Sequence, residues 1–403
     1  MDNLHRVISL PLLVLYGLGM MIGAGIYVLI GATAADAGLY APLSFIFAGA
    51  IASLTAASYA ELASRYPVSA GEAAYMDAAF GVKHLALLTG LAIAIGATVA
   101  SALLIKGGAG YLAQLVPFER DTMAPFITLL IGVIAMWGIK ESISVAAMLT
   151  LLEISGLLMI VFAGFFWTGS ETAIAPGPCP PFDMDAVTGI LSASLLAFFA
   201  FTGFQDIVNV AEEVNDPRRN IPLALAITLI VTVILYVLVA QVAIKTVPIA
   251  ELNKTNAPLT LVFERATGFG GNVVSAIAVA AVLNGALIHF IMASRVLFGL
   301  SRMGALPKSV GSVYKPTGTP LMATFAITGL TLIWVMVLPF RELAVGTSSM
   351  ALLGFALVNA ALIRIKLKAP AQEGAVIMPL WVPVLGVCST LGLLIYVTID
   401  KLL

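Results

Sequence analysis

Charged side chains are scarce in this sequence. Only 10% of its 403 residues are Asp, Glu, Lys or Arg, while 61% are hydrophobic. A soluble domain carries about 25% charged residues. The 20 basic and 21 acidic groups here could not cover the surface of a water-soluble fold this long. A nucleic-acid binder is excluded too, because it needs a basic face and the net charge is −1. Cysteine is almost missing. Cys179 lies in a Pro-rich stretch and Cys388 in an apolar run, so they form neither a disulfide framework nor a metal site, and free thiols are expected. The three histidines, His5, His84 and His289, have no zinc-ligand spacing. No P-loop is present, which excludes an ATP-driven pump, and no His-Glu-x-x-His or nucleophile–base pattern suggests an intramembrane enzyme. No cofactor and no metal are therefore expected.

What the chain has in abundance is long apolar stretches. About 20 apolar residues cross a bilayer as a helix. Stretches bounded by charge and by Pro/Gly clusters predict eleven helices, near residues 9–34, 41–64, 83–114, 122–139, 143–168, 187–212, 222–245, 270–302, 319–338, 342–366 and 377–399. The alternating short segments of a membrane barrel are missing. An all-α polytopic membrane protein is the expected class. The start, Met1 to Leu10, has no small-residue cleavage site, so the first run reads as a retained span. One set of connecting segments holds Arg6, Arg65, Lys83, Lys140, Arg218, Arg219, Arg302, Lys308, Lys315, Arg364, Lys366 and Lys368. The other holds only Arg120, Lys245, Lys254, Arg265, Arg341 and Lys401. That bias predicts a cytoplasmic N-terminus in a cell (inner) membrane.

Two of the apolar segments are interrupted. The first runs Tyr16-Gly17-Leu18-Gly19-Met20-Met21-Ile22-Gly23-Ala24-Gly25-Ile26, and the sixth runs Phe198-Phe199-Ala200-Phe201-Thr202-Gly203-Phe204-Gln205-Asp206. Gly25 and Gly203 lie 178 residues apart, about five spans and their loops. Glycine-interrupted segments at matching places in two halves point to the central site of a transporter. Close helix packing by small residues is the other reading of such glycines.

Four blocks in order resemble the amino acid–polyamine–organocation (APC) superfamily of secondary transporters. They are Ile22-Gly23-Ala24-Gly25-Ile26; Ser58-Tyr59-Ala60-Glu61-Leu62 through Gly71-Glu72-Ala73-Ala74-Tyr75; Phe198 through Gly203-Phe204 to Glu212-Glu213-Val214-Asn215-Asp216-Pro217; and Ser294-Arg295-Val296-Leu297-Phe298-Gly299-Leu300-Ser301-Arg302. The resemblance implies the leucine-transporter-type 5+5 inverted repeat with broken helices 1 and 6. Residues 1–168 would form the first repeat, 187–366 the second, and 377–403 an additional C-terminal helix. Eleven spans are expected here, whereas many relatives have twelve.

A broken helix leaves backbone donors unpaired at the start of its second half and carbonyls unpaired at the end of its first. Donors suit an anionic group and carbonyls an ammonium group. The substrate site is therefore expected at Met21, Ile22, Gly23, Ala24 and Gly25, with N–H groups of Gly23, Ala24 and Gly25 toward a carboxylate. Opposite them come Phe199, Ala200, Phe201, Thr202 and Gly203, with carbonyls of Phe199, Ala200 and Thr202 toward an amine. Phe201 or Phe204 would cover the pocket. Asp206 either caps the second half of the sixth helix or faces a substrate amine. Asn284 is expected to line the site from the eighth helix, whereas His289 reads as a satisfied interior histidine. Lys106 is expected to snorkel to the outer interface. Thr347, Ser348 and Ser349 would close the outer side, and Arg218, Arg219 and Arg295 would pair with Glu212, Glu213 or Glu61.

Glu153 is the sharpest anomaly, a carboxylate mid-span in Leu151-Leu152-Glu153-Ile154-Ser155. Such a group costs several kcal/mol unless protonated or paired, so it is a functional residue by default. The resemblance places it where several proton-coupled relatives carry lysine, with the sign reversed. Glu153 is thus the expected proton-coupling group. The sequence reading is a transporter of an amino acid, coupled to protons, with a cationic organic amine or polyamine, or exchange, as the alternative. A channel would show a pore ring or repeated filter motif, and none is visible.

Overall fold

The computed structural model describes residues 6, 8–22, 25–68, 71–113, 115–117, 119–137, 142–167, 182–211, 214–302, 304–314, 319–368 and 374–400. Among these residues it is built from helices and has no strand beyond two isolated bridges. In chain order the helices are α1 (Leu10–Ile22), α2 (Ile26–Ala37), α3 (Ala41–Arg65), α4 (Gly71–Phe80), α5 (Lys83–Leu112), α6 (Arg120–Trp137), α7 (Ser142–Phe166) and α8 (Met184–Ala200). Then follow α9 (Asp206–Asn209), α10 (Pro217–Thr246), α11 (Ile249–Lys254), α12 (Pro258–Thr267), α13 (Asn272–Arg302), α14 (Leu321–Val337), α15 (Phe340–Lys368) and α16 (Trp381–Asp400).

Among the described residues six helical stretches are long and apolar enough to cross a membrane: Ile26–Arg65, Lys83–Leu112, Ala146–Phe166, Pro217–Thr246, Asn272–Ser301 and Phe340–Lys368. Five shorter apolar helices accompany them. Their outer faces are apolar as well. On α6, Phe126, Leu129, Leu130 and Val133 are exposed, and on α7 Leu151, Leu158, Phe162 and Phe166 are. Residues three and four apart share one helix face, so these are continuous apolar stripes turned outward. Water would penalise them and hydrocarbon would not. The chain is a polytopic membrane protein.

Inside, the order is reversed, and many hydroxyls are buried. Most of them bond to their own helix one turn back: Ser101 donates to Ala97 O, Thr128 to Ala124 O and Thr150 to Ala146 O, each at 2.8 Å. Without water, such self-satisfaction keeps the polar atom from costing stability. Around this core, α5 runs along α13, α3 along α10, and α15 along α16, while α2 packs on α8 and α1 lies between α7 and α10.

One buried carboxylate is held by several donors. Glu61, fully buried, accepts from Arg65 and from Lys366 Nζ at 2.7 Å, and also from the Met378 backbone N–H at 2.8 Å. Arg65 and Lys366, not the arginines expected from sequence, hold this carboxylate; Glu212 and Glu213 lie outside the described residues. Lys106 donates to Leu338 O at 2.7 Å, the carbonyl that follows the end of α14. A cation at a helix C-terminus complements the macrodipole. Cys388 is free and exposed, while Cys179 lies outside the described residues.

Candidate functional site

Two interrupted helices meet in the middle of the molecule. α1 stops at Ile22 and α2 starts at Ile26. Met21 and Ile22 are fully buried at this junction. Gly23 and Ala24, two of the expected substrate contacts, lie outside the described residues. Gly25 is packed so closely on α8 that a Cβ there would overlap the Cα and Cβ of Ala200. In the other interruption α8 stops at Ala200, Phe201 to Gln205 form turns, and α9 begins at Asp206. Gly203 supplies the turn with φ of +115°, a conformation that a side chain would oppose, and it lies against the backbone of Met20.

Two carbonyls at the end of α8 are already engaged. Phe199 O accepts from the Thr202 N–H at 2.9 Å and from the Thr202 hydroxyl at 2.6 Å. Ala200 O accepts from the Tyr236 hydroxyl at 3.0 Å, and that hydroxyl is also within bonding distance of Met21 O. A phenol has one proton to donate. Tyr236 of α10 can therefore serve one carbonyl from each interrupted helix in turn. The sequence did not point to Tyr236; no local pattern distinguishes it from any tyrosine of an apolar span. Phe201 packs edge-on against the Tyr236 ring, and Phe204 packs on Tyr59 and Phe355.

Glu153 is fully buried on α7, with Oε1 accepting from Asn284 Nδ2 of α13 at 3.1 Å. Its Oε2 has no hydrogen-bond partner among the described residues. Its backbone carbonyl accepts from the Tyr27 hydroxyl of α2 at 2.9 Å. Gly19 of α1 faces Thr150 and Asn284 beside this pair. The two polar residues singled out on different helices are thus brought together next to the first interruption.

Asp206 does not cap α9, which has no side-chain cap. Both of its carboxylate oxygens are buried and lack a hydrogen-bond partner among the described residues. His289 Nδ1 stands 3.8 Å from Asp206 Oδ2 and is likewise without a hydrogen bond. The reading of His289 as a satisfied interior histidine is corrected: Nδ1 has no hydrogen bond among the described residues and stands near a carboxylate that a sequence separation of 83 positions conceals.

His289 also borders a cavity of about 120 Å³. Tyr59, Glu72, Thr202, Gln205 and Thr347 are among the residues of its wall, to which α5 and α15 contribute mostly small and apolar residues. Glu72 belongs to α4, outside the spanning helices. Burial pushes its carboxyl up from the ordinary value, opposed by the hydrogen bond from the Tyr59 hydroxyl at 3.0 Å. Thr347 thus lines the cavity, and Ser348 beside it is buried with its hydroxyl unbonded among the described residues. No group of His, Cys, Asp and Glu able to hold a metal occurs among the described residues.

Comparison with known proteins gives a consistent family. The amino acid permease profile matches residues 8–400. Vacuolar cationic amino acid transporter 4 of Arabidopsis thaliana is 30% identical over 351 residues, covering 81% of this chain and 57% of the relative. The branched-chain amino acid permease BcaP of Bacillus subtilis is 28% identical over 393 residues, covering 91% and 82%. The methylthioribose transporter of the same bacterium is 28% identical over 409 residues, covering 96% and 87%. The chain spans about three fifths of the length of the plant relatives it matches.

Proposed function

Because the chain belongs to the amino acid permease family of the APC superfamily, we propose that it is a secondary transporter that moves an amino acid across a cell membrane by alternating access. In this reading helices 1–5 (residues 1–168) and 6–10 (residues 187–366) are the two halves of a 5+5 inverted repeat. The C-terminal helix (377–403) is an addition, and the N-terminus is cytoplasmic. The substrate binds between Met21–Gly25 and Phe199–Gly203, with Asp206 and Asn284 beside it. A proton travels on Glu153.

One observation carries most of this reading: the interruptions touch. Gly25 abuts Ala200, and Tyr236 reaches Met21 O and Ala200 O together. Helix ends in hydrocarbon need partners for their backbone groups. A substrate with a carboxylate and an ammonium offers such partners to both interruptions, and it can displace Tyr236 from one carbonyl. Support for coupling comes from Glu153 Oε2, a buried carboxylate oxygen without a partner beside α1. One specific observation favours the second reading, a cationic amino acid or an amine lacking a carboxylate: the unpartnered Asp206 carboxylate next to the turn. Two Arabidopsis relatives bear the name cationic amino acid transporter; BcaP is a branched-chain permease.

Counterflow tests the proposal and separates the two substrates. Liposomes holding the purified chain are loaded with excess unlabelled L-leucine, L-arginine or putrescine and given the same compound as tracer outside. Transient tracer accumulation with an amino acid is expected. Accumulation with putrescine alone moves the assignment to amines. Passive flux without counterflow for every compound indicates a channel and overturns the proposal.

A further inference from the structure

Asp206 is the first residue of α9, the short helix that follows the Gly203 turn, and His289 lies mid-way along α13. Their side chains face each other across 3.8 Å, with 0% and 4% of their surfaces exposed. Neither Asp206 oxygen nor His289 Nδ1 has a hydrogen-bond partner among the described residues. His289 borders the cavity, whereas Asp206 is not part of its wall. The imidazole thus lies between the cavity and the carboxylate.

Among the described residues the surroundings offer this pair no counter-charge. Glu72 of α4 and Tyr59 of α3 lie near it, and neither is a cation. Tyr16 of α1 packs near Ile288, the neighbour of His289. The cavity walls from α5 and α15 contain no ionisable side chain. On α7, Glu153 is turned to Asn284. α10 carries Tyr236, bound to carbonyls, exposed Arg218 and Arg219 in its first turn, and Lys245 in its last. α6 and α12 hold their charged residues, Arg120 and Asp121, and Glu264 and Arg265, near their ends, and α14 has none. On α13 itself the next ionisable residue is Arg295, more than a turn further on.

We propose that Asp206 and His289 form a second proton-binding site, holding one proton between them that is taken from the cavity and is distinct from the one on Glu153. Without that proton the pair is an uncompensated negative charge in an apolar interior, which is strongly unfavourable. With it the pair is neutral, whether the proton resides on the carboxyl or on the imidazole. The proton comes from cavity water through the imidazole and returns the same way. A separation of 3.8 Å is beyond a hydrogen bond, so loading also draws α9 toward α13, and unloading releases it. The role in transport rests on the reading above; the shared proton itself does not.

A titration without substrate tests the pair. The full chain in lipid bilayers is titrated while infrared difference spectra follow the protonated carboxyl of Asp206, assigned by its loss in Asp206→Asn. Labelled-histidine NMR follows His289, assigned by its loss in His289→Gln. Coupling is reciprocal. His289→Gln should move the Asp206 transition, and Asp206→Asn the His289 transition, each by roughly one pH unit or more. Glu153→Gln should leave both in place. If one variant does not fold, the other still reads the coupling. Transitions that ignore the partner's substitution overturn the proposal, as does a shift of equal size in Glu153→Gln. Absence of counterflow with this coupling intact would remove the transport reading and leave the proton site standing.

Discussion

Gly25 and Ala200 are in direct contact across the two interrupted helices, with no room for a side chain on the glycine. This contact turns a sequence pattern into a site, because the backbone ends that need partners are placed on either side of it. Local unwinding alone would leave them unpaired in a medium that offers no water.

Gly25→Val tests this contact. The valine methyls would push into Ala200 and the Tyr236 hydroxyl, and overpacking costs about 1–3 kcal/mol. Folded protein with strongly reduced counterflow is the expected outcome, because the valine occupies the junction where the two interruptions meet. Normal counterflow in a folded variant would mean that the contact serves packing only.

Glu153→Gln should separate coupling from binding. The amide oxygen can still accept from Asn284 Nδ2, so the hydrogen bond at 3.1 Å survives while the exchangeable proton is lost. Counterflow at fixed pH is expected to persist, and the pH dependence of net uptake to vanish. Net uptake that keeps its wild-type pH dependence would remove Glu153 from the mechanism.

The charged knot at Glu61 makes a stability prediction. Lys366→Met strips one of two cations from a fully buried carboxylate, and breaking a buried pair costs about 3–5 kcal/mol. A clear drop in thermal stability is expected. Glu61→Gln combined with Lys366→Met should recover part of it, because the stranded charge is gone. No recovery in the double variant, measured in the same detergent, would show that the lysine acts through packing alone.

Glu72 makes a pH-dependent prediction. Burial raises its carboxyl above the ordinary value, so the folded state favours the protonated form. Its contribution is therefore most favourable below the unfolded value and is lost as pH rises through the folded value. Glu72→Gln keeps an acceptor for Tyr59 and cannot ionise. The variant should melt higher than wild type above that window, with the gap closing as pH falls. An equal gap at every pH would contradict this.

Much of the architecture was readable in advance. The stretches expected at 83–114 and 143–168 match α5 at Lys83–Leu112 and α7 at Ser142–Phe166, because a bilayer makes apolar length itself a signal. α4, α11 and α12 were not anticipated. They are short, mixed in polarity and stabilised by the helices they lie against, which leaves no local period to read. Glu153 and Asn284 were each singled out, but their hydrogen bond joins residues 131 apart. Tyr236 and the facing of His289 toward Asp206 depend wholly on packing between helices. Such relations are properties of the fold, invisible in any window of the chain.

Accumulation against a gradient is the most direct test of the account. Liposomes containing the chain are given an inward proton gradient with the membrane potential clamped, and the tracer amino acid identified by counterflow is supplied outside. Internal tracer is expected to rise above the external concentration and to fall back to it when an uncoupler is added. Uptake that stops at equal concentrations with the gradient intact would contradict a proton-coupled transporter.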